Sequence, residues 1–213
     1  MLLLPQPDSC GFHALTMNLV AHDPRQPIEI CGFSLPVPSC VIHLYYSAAE
    51  RRRFTSFLAE GIAEGDTVLL ACTREGYEEL TQTFELDCTA RKERRLLCIE
   101  ILPDLASSVA KIAQALSAEV RDRRRRIRLL ADFGLIAGPE MLFELEALLS
   151  SALRGFNVIS ITQYDGRAFA ASATIEQFHT HALAIIGNAV CKENRNYTAP
   201  DNYLQTRAAS AKA

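Results

Sequence analysis

The sequence predicts an α/β fold: a mainly parallel sheet flanked by helices on both faces, in three layers. Two observations predict it. From Cys40 onward, apolar runs of strand length alternate with stretches of helical character, the pattern of right-handed βαβ units. Strand runs such as Val68-Leu69-Leu70-Ala71-Cys72 are apolar throughout, as strands covered on both faces should be.

Residues 1–38 carry six of the nine prolines, so they cannot hold a long helix. They read as a proline-rich N-terminal arm, extended, with one short strand at Ile28-Cys31. Cys40–Tyr46 is the first core strand. Ser47 and Glu50 form an S-x-x-E capping box for a helix running to about Glu64. Thr67–Cys72 is the second strand, and Thr73 caps a helix reaching about Phe84. Leu96–Leu102 is the third strand, closed by Pro103. Asp104 caps a helix from Leu105 to about Arg124, and Ile127–Ala131 follows as the fourth strand. Pro139 suits the first turn of the next helix, which ends before Gly155. Val158–Tyr164 is the fifth strand. Thr174 and Gln177 cap a short helix to about Thr180, and Leu183–Ile186 is the sixth strand. The main domain is thus expected over residues 39–204, followed by a disordered tail at 205–213.

Composition narrows the functional classes. The chain has 213 residues, 49% hydrophobic and 22% charged, which fits one soluble domain with a sizeable core. A net charge of −3 gives no basis for general nucleic-acid binding. Seven scattered cysteines without C-x-x-C spacing suggest a reduced, cytoplasmic protein. Met1–Pro5 is too short for a signal-peptide core, and no apolar run approaches membrane-spanning length.

In open parallel sheets, ligands bind outside the carboxyl ends of the strands. That rule collects Tyr45, Tyr46 and Ser47; Thr73 and Arg74; Asp132 and Phe133; Gln163, Tyr164 and Asp165; and the segment after Ile186. His43 lies mid-strand on the face of Tyr45. It reads as a core histidine or as a polar group of the same pocket. The turn after the first strand is where many nucleotide-binding folds carry a glycine-rich loop, a lysine and a hydroxyl. Here there is no glycine and no lysine, and Glu50 competes for the helix end that a phosphate would use. Arg51–Arg53 read as a solvated helix face. Arg121–Arg126 is a basic run without interleaved aromatics, and it reads as a solvated helix C-terminus. No histidine or cysteine spacing suits zinc, no G-x-S-x-G elbow is present, and no catalytic residue or cofactor is assigned.

Several stretches, taken in order, carry a resemblance. They are His43-Leu44-Tyr45-Tyr46-Ser47-x-x-Glu50, Phe57-Leu58-Ala59-Glu60-Gly61-Ile62-x-x-Gly65-Asp66, Glu144-Leu145-Glu146-Ala147-Leu148 and Gln163-Tyr164-Asp165-x-x-x-Phe169. The series closes with His181-x-x-x-x-x-Gly187 and Glu193-Asn194-x-x-Tyr197-x-x-Pro200. Together they resemble the MEDS family, the methanogen/methylotroph, DcmR-type sensory domains, over about residues 38–204. The resemblance implies a RecA/KaiC-like fold that has lost the phosphate loop. It also implies a sensory role, with a small organic or hydrocarbon-derived ligand. Family members commonly accompany histidine kinase or DNA-binding modules, so the implied partner is a histidine kinase or a transcription regulator. This chain departs from the family pattern at Asp132-Phe133-Gly134, where a glutamate is expected, and at Ala182, where a proline is expected.

Three readings follow. The first is a non-enzymatic sensory domain with Tyr45, Tyr46, Phe133 and Tyr164 as pocket walls. Its orienting polar groups are His43, Asp132, Gln163 and Asp165, with Ser47 beside them. The second is a degenerate RecA-like nucleotide switch or ATPase. The third is an interaction module that works as a homo-oligomer.

Overall fold

The computed structural model describes residues 23, 25–30, 32–82, 96–101, 104–119, 126–134, 139–168, 181–187, 189–191, 197–199, 202–203, 205–206 and 209. Its elements are β1 (Ile28–Ile30), β2 (Phe33–Leu35), β3 (Ser39–Tyr45), α1 (Ala48–Arg52), α2 (Thr55–Ala63), β4 (Thr67–Cys72) and α3 (Arg74–Gln82). They continue with β5 (Leu96–Glu100), α4 (Leu105–Glu119), β6 (Ile127–Gly134), α5 (Pro139–Ala152), β7 (Val158–Asp165), β8 (Leu183–Ile186) and β9 (Ala189–Cys191). The expected helix at Thr174–Thr180 lies outside the described residues.

Seven strands form one sheet in the order β5-β4-β6-β7-β3-β8-β9. Every pair in it is parallel except β8 with β9. Strand alternation divides the core in two. On one face, Ile42, Leu44, Leu69, Leu129 and Val158 pack with Val109, Ile112 and Leu116 of α4 and Leu149 of α5. On the other, Val41, Val68, Leu70, Leu130, Ile159 and Ile161 pack with Phe57 and Leu58 of α2 and Leu80 of α3. Strand β4 is buried along its whole length, as its unbroken apolar run requires. Gly155, at φ +87°, ends the segment after α5 in the left-handed region that glycine occupies without cost.

The structure corrects the sequence reading at four places. The arm contains a hairpin, β1–β2, and not a single strand. Its Ile28, Ile30 and Leu35 are buried in the second core. The helix after β3 is two helices. It breaks at Arg53–Phe54, where the Thr55 hydroxyl donates to the Arg52 carbonyl at 2.5 Å and Phe54 turns fully into the core. An antiparallel edge strand, β9, follows β8 where only polar tail was expected.

Arg126, read from the sequence as part of a solvated cap, is not one. At the amino edge of the sheet it is buried, with Nε 2.9 Å from Asp66 Oδ2. Arg128, fully buried within β6, places Nε 2.7 Å from the same oxygen and Nη2 2.7 Å from Glu64 Oε2. Its Nη1 donates to the Phe57 carbonyl at 3.0 Å. Two guanidiniums in the interior are tolerable because carboxylates and a carbonyl take up their protons. The remainder of the basic run, Arg121–Arg125, lies outside the described residues.

Candidate functional site

The carboxyl edge of the sheet carries a cavity of about 300 Å³, lined by Tyr45, Ala48, Arg51, Thr73, Glu79, Asp132, Asp165 and Arg167. Its walls come from the ends of β3, β4, β6 and β7 and from α1 and α3. The sheet register explains the gathering. Cys72 pairs with Asp132, Asp132 with Gln163, and Gln163 with His43, so one lateral row crosses four strands on the α1 face.

Helix α1 lies above that row. Ser47 caps it, with its hydroxyl accepting from the Glu50 amide at 3.2 Å. The Glu50 carboxylate accepts from the Tyr46 amide at 2.7 Å, one residue earlier than an ideal capping box. This turn sends Arg51 down onto the row. Nε and Nη2 of Arg51 each lie 2.7 Å from Asp132 Oδ2, and Nη1 donates to Glu79. Burial works against the charge of Arg51, yet Asp132 beside it holds the guanidinium firmly protonated. The Arg51 Cζ stands 5.8 Å from the Tyr45 ring centroid. Burial, then the Asp132 charge, push the Tyr45 phenol far above its ordinary range, so it stays neutral. At the mouth, exposed Arg167 grips Asp165 with two hydrogen bonds, 2.9 and 2.6 Å, which hold that carboxyl below the usual range against the effect of its partial burial.

Beneath Arg51, Gln163 Nε2 is 2.9 Å from His43 Nδ1 and donates to the Arg51 carbonyl at 3.1 Å. The carbonyl can only accept, so the nitrogen of the amide must face it, and His43 carries its proton on Nε2. Burial, then the nearby Arg53, lower the His43 pKa to about 3, so the ring is neutral. Its edge packs on Phe54 at 4.6 Å between centroids.

The sequence-derived residues therefore split by face. Tyr45, Thr73, Asp132 and Asp165 line the cavity, and His43 and Gln163 support it from below. Tyr46 is largely exposed, with its ring over Gly166, and Ser47 is committed to its helix cap. Phe133 and Tyr164 are not cavity walls. Strand alternation turns them to the α4/α5 side, where they stack at 6.1 Å. There Tyr164 donates to buried Glu146, which also accepts from Thr162 at 3.3 Å. His181 Nε2 lies 3.1 Å from Glu146 Oε2, at ion-pair distance but off the line of a hydrogen bond. Sequence reasoning missed Arg51, Glu79 and Arg167 as cavity residues. The triplet Arg51–Arg53 resembles any solvated helix face until α1 is known to end after one turn. Among the described residues, no three His, Cys, Asp or Glu side chains are grouped to hold a metal ion. Among them, too, no helix is long and apolar enough to cross a membrane.

The sequence profile of the methanogen/methylotroph, DcmR sensory domain family matches residues 41–182. The chain belongs to the MEDS family. The matched span begins in β3 and closes just before β8, so this MEDS domain's cavity residues all fall within it. No curated protein matches the MEDS chain by sequence. Among solved structures it is similar to a KaiC-like protein from the hyperthermophilic archaeon Pyrococcus horikoshii OT3. The TM-score is 0.59 at 15% identity, covering 76% of this chain and 81% of that one. That likeness establishes the fold of the MEDS domain as RecA/KaiC-like and speaks to nothing beyond the fold.

Proposed function

We propose that this MEDS domain is a non-catalytic sensor that binds a small organic ligand in the cavity at the carboxyl edge. It passes the change to a regulatory partner of the histidine kinase or transcription-regulator class. The observation that carries the reading is the double use of Arg51. Its guanidinium forms part of the cavity wall, while its carbonyl is held by Gln163 in the core row. A ligand that prefers one placement of Arg51 biases α1 against β3 and β7, and only such differential affinity can shift a conformational equilibrium. The loops at this edge are tied together: the Gly166 amide donates to the Tyr45 carbonyl at 2.8 Å and the Gly187 amide to the Leu44 carbonyl at 2.9 Å. A change at the cavity thereby reaches the surface a partner would read.

Nucleotide binding is the less favoured reading. The Tyr46 amide, a donor a phosphate would need, is already taken by Glu50.

The test is thermal denaturation with a broad panel of small organic compounds, on the wild type and on Asp165→Asn. A true ligand raises the wild-type midpoint and raises that of the variant less. A panel in which no compound stabilises the wild type would sink the reading.

A further inference from the structure

On the reading that the carboxyl-edge cavity is the sensory site, we propose that its ligand is a small organic cation of alkylammonium type.

Among the described lining residues, the carboxylates Glu79, Asp132 and Asp165 outnumber the guanidiniums Arg51 and Arg167.

Both guanidiniums are already engaged. Arg51 gives Nε and Nη2 to Asp132 and Nη1 to Glu79, and Arg167 gives Nε and Nη2 to the two oxygens of Asp165. An incoming carboxylate or phosphate would have to break one of these charge-assisted pairs. It would then sit beside the carboxylate it displaced, and Asp132 is too buried to turn out to water. A cation meets no such obstacle. A carboxylate has about four lone-pair sites, so it can accept from an ammonium without releasing its arginine.

The Tyr45 ring lines the cavity and already stands near one cation, with the Arg51 Cζ 5.8 Å from its centroid, an electron-rich surface that favours positive charge beside it. Ala48 and Thr73 are small, and the volume of about 300 Å³ admits a short organic chain beside the charge.

The test uses three probes with one carbon skeleton and different heads: propylammonium chloride, propan-1-ol and sodium propionate, at constant ionic strength. Binding is read as shifts of the assigned amide signals of Tyr45, Thr73 and Asp165 in the full chain. Propylammonium is expected to move them saturably and the other two are not. Glu79→Gln, at a partly exposed site, is expected to weaken that binding by up to about fivefold, the scale of one solvent-screened ion pair. Asp132→Asn should weaken it further, and if that variant unfolds, Glu79→Gln carries the test alone. Propionate moving the same signals in place of propylammonium would overturn the cation and leave the cavity standing as a sensory site. Equal effects of propanol and propylammonium, or no effect of Glu79→Gln, would overturn it as well. If none of the three probes moves the signals, the alkylammonium assignment fails, while the thermal panel judges the cavity itself.

Discussion

Arg51 and Asp132 lie 81 positions apart in the chain, and one carboxylate oxygen joins them, 2.7 Å from both Nε and Nη2 of the guanidinium. Asp132 is almost wholly buried, so the pair fixes α1 over the end of β6.

Removing the cation should be costly. Arg51→Ala strands a buried carboxylate and is expected to destabilise the fold by about 3–5 kcal/mol. The urea midpoint should fall with little change in slope. The double variant Arg51→Ala, Asp132→Ala should recover much of the loss. A single variant as stable as wild type would show that the pair is not a buried one.

Gly61 in α2 offers a sign test. In an exposed helix interior, alanine would gain up to about 1 kcal/mol over glycine. Here a Cβ would come within 2.6 Å of Arg128 Cδ and 3.0 Å of Val68 Cγ2. Arg128 cannot yield, because Asp66, Glu64 and the Phe57 carbonyl hold its guanidinium. Gly61→Ala should therefore destabilise by about 1–3 kcal/mol. A raised thermal midpoint would contradict that packing.

Tyr164→Phe tests the polar cluster on the opposite face. It removes the hydroxyl that donates to Glu146 and leaves a buried carboxylate short of a donor, at a cost of about 1–3 kcal/mol. Thr162→Val removes a longer bond, 3.3 Å, and should cost less. The reverse order in denaturant titrations would mean that Thr162 is the main support of Glu146.

His43 gives a pH dependence whose sign is fixed. Its folded pKa is lowered to about 3, by burial first and then by Arg53, whereas the unfolded histidine titrates near ~6.5. Between those values the unfolded chain binds the extra proton. The contribution of His43 is therefore complete above about pH 6.5 and drains away as pH falls towards 3. Asp165, also held low, loses its contribution on the acid side too. The comparison is therefore wild type against His43→Leu, in which the fall of stability from pH 6.5 to 4 should be shallower. Identical slopes would show that His43 charges without unfolding the protein.

The thiols should separate by burial. Cys72 is buried, and burial followed by the Asp132 charge pushes its pKa up to about 12. Cys40 is raised by burial as well, while Cys98 is exposed on β5. Brief iodoacetamide treatment of the folded protein, mapped by peptide mass, should mark Cys98 well before Cys72 or Cys40.

Much of the fold was legible because it rests on local pattern. The unbroken apolar run Val68–Cys72 announced a strand covered on both faces, and Ser47, Thr73 and Asp104 each sit one residue before a helix. The break at Phe54 was not legible, since its residues are ordinary helix formers and the reason for the turn is burial against His43. The cavity was half legible. The edge rule selected Tyr45, Thr73, Asp132 and Asp165, but it is blind to which face a side chain takes, so it counted Phe133 and Tyr164 with them. Arg51 and Arg126 were hidden for another reason. A charged side chain looks solvated in sequence, and only tertiary pairing with Asp132 or Asp66 shows it to be interior.

Strand β7 carries polar anchors on alternate sides: Gln163 meets His43 and the Arg51 carbonyl above the sheet, while Thr162 and Tyr164 meet Glu146 below it. Sliding β7 by one residue would exchange the two sets at once. Gln163 would move to the side of Glu146, and the tyrosine hydroxyl would arrive beneath α1, away from Glu146. An apolar strand tolerates such slippage poorly on grounds of packing alone. Here a one-residue slip also takes buried polar groups on both faces away from their partners, so polar pairing as well as packing fixes the register of β7.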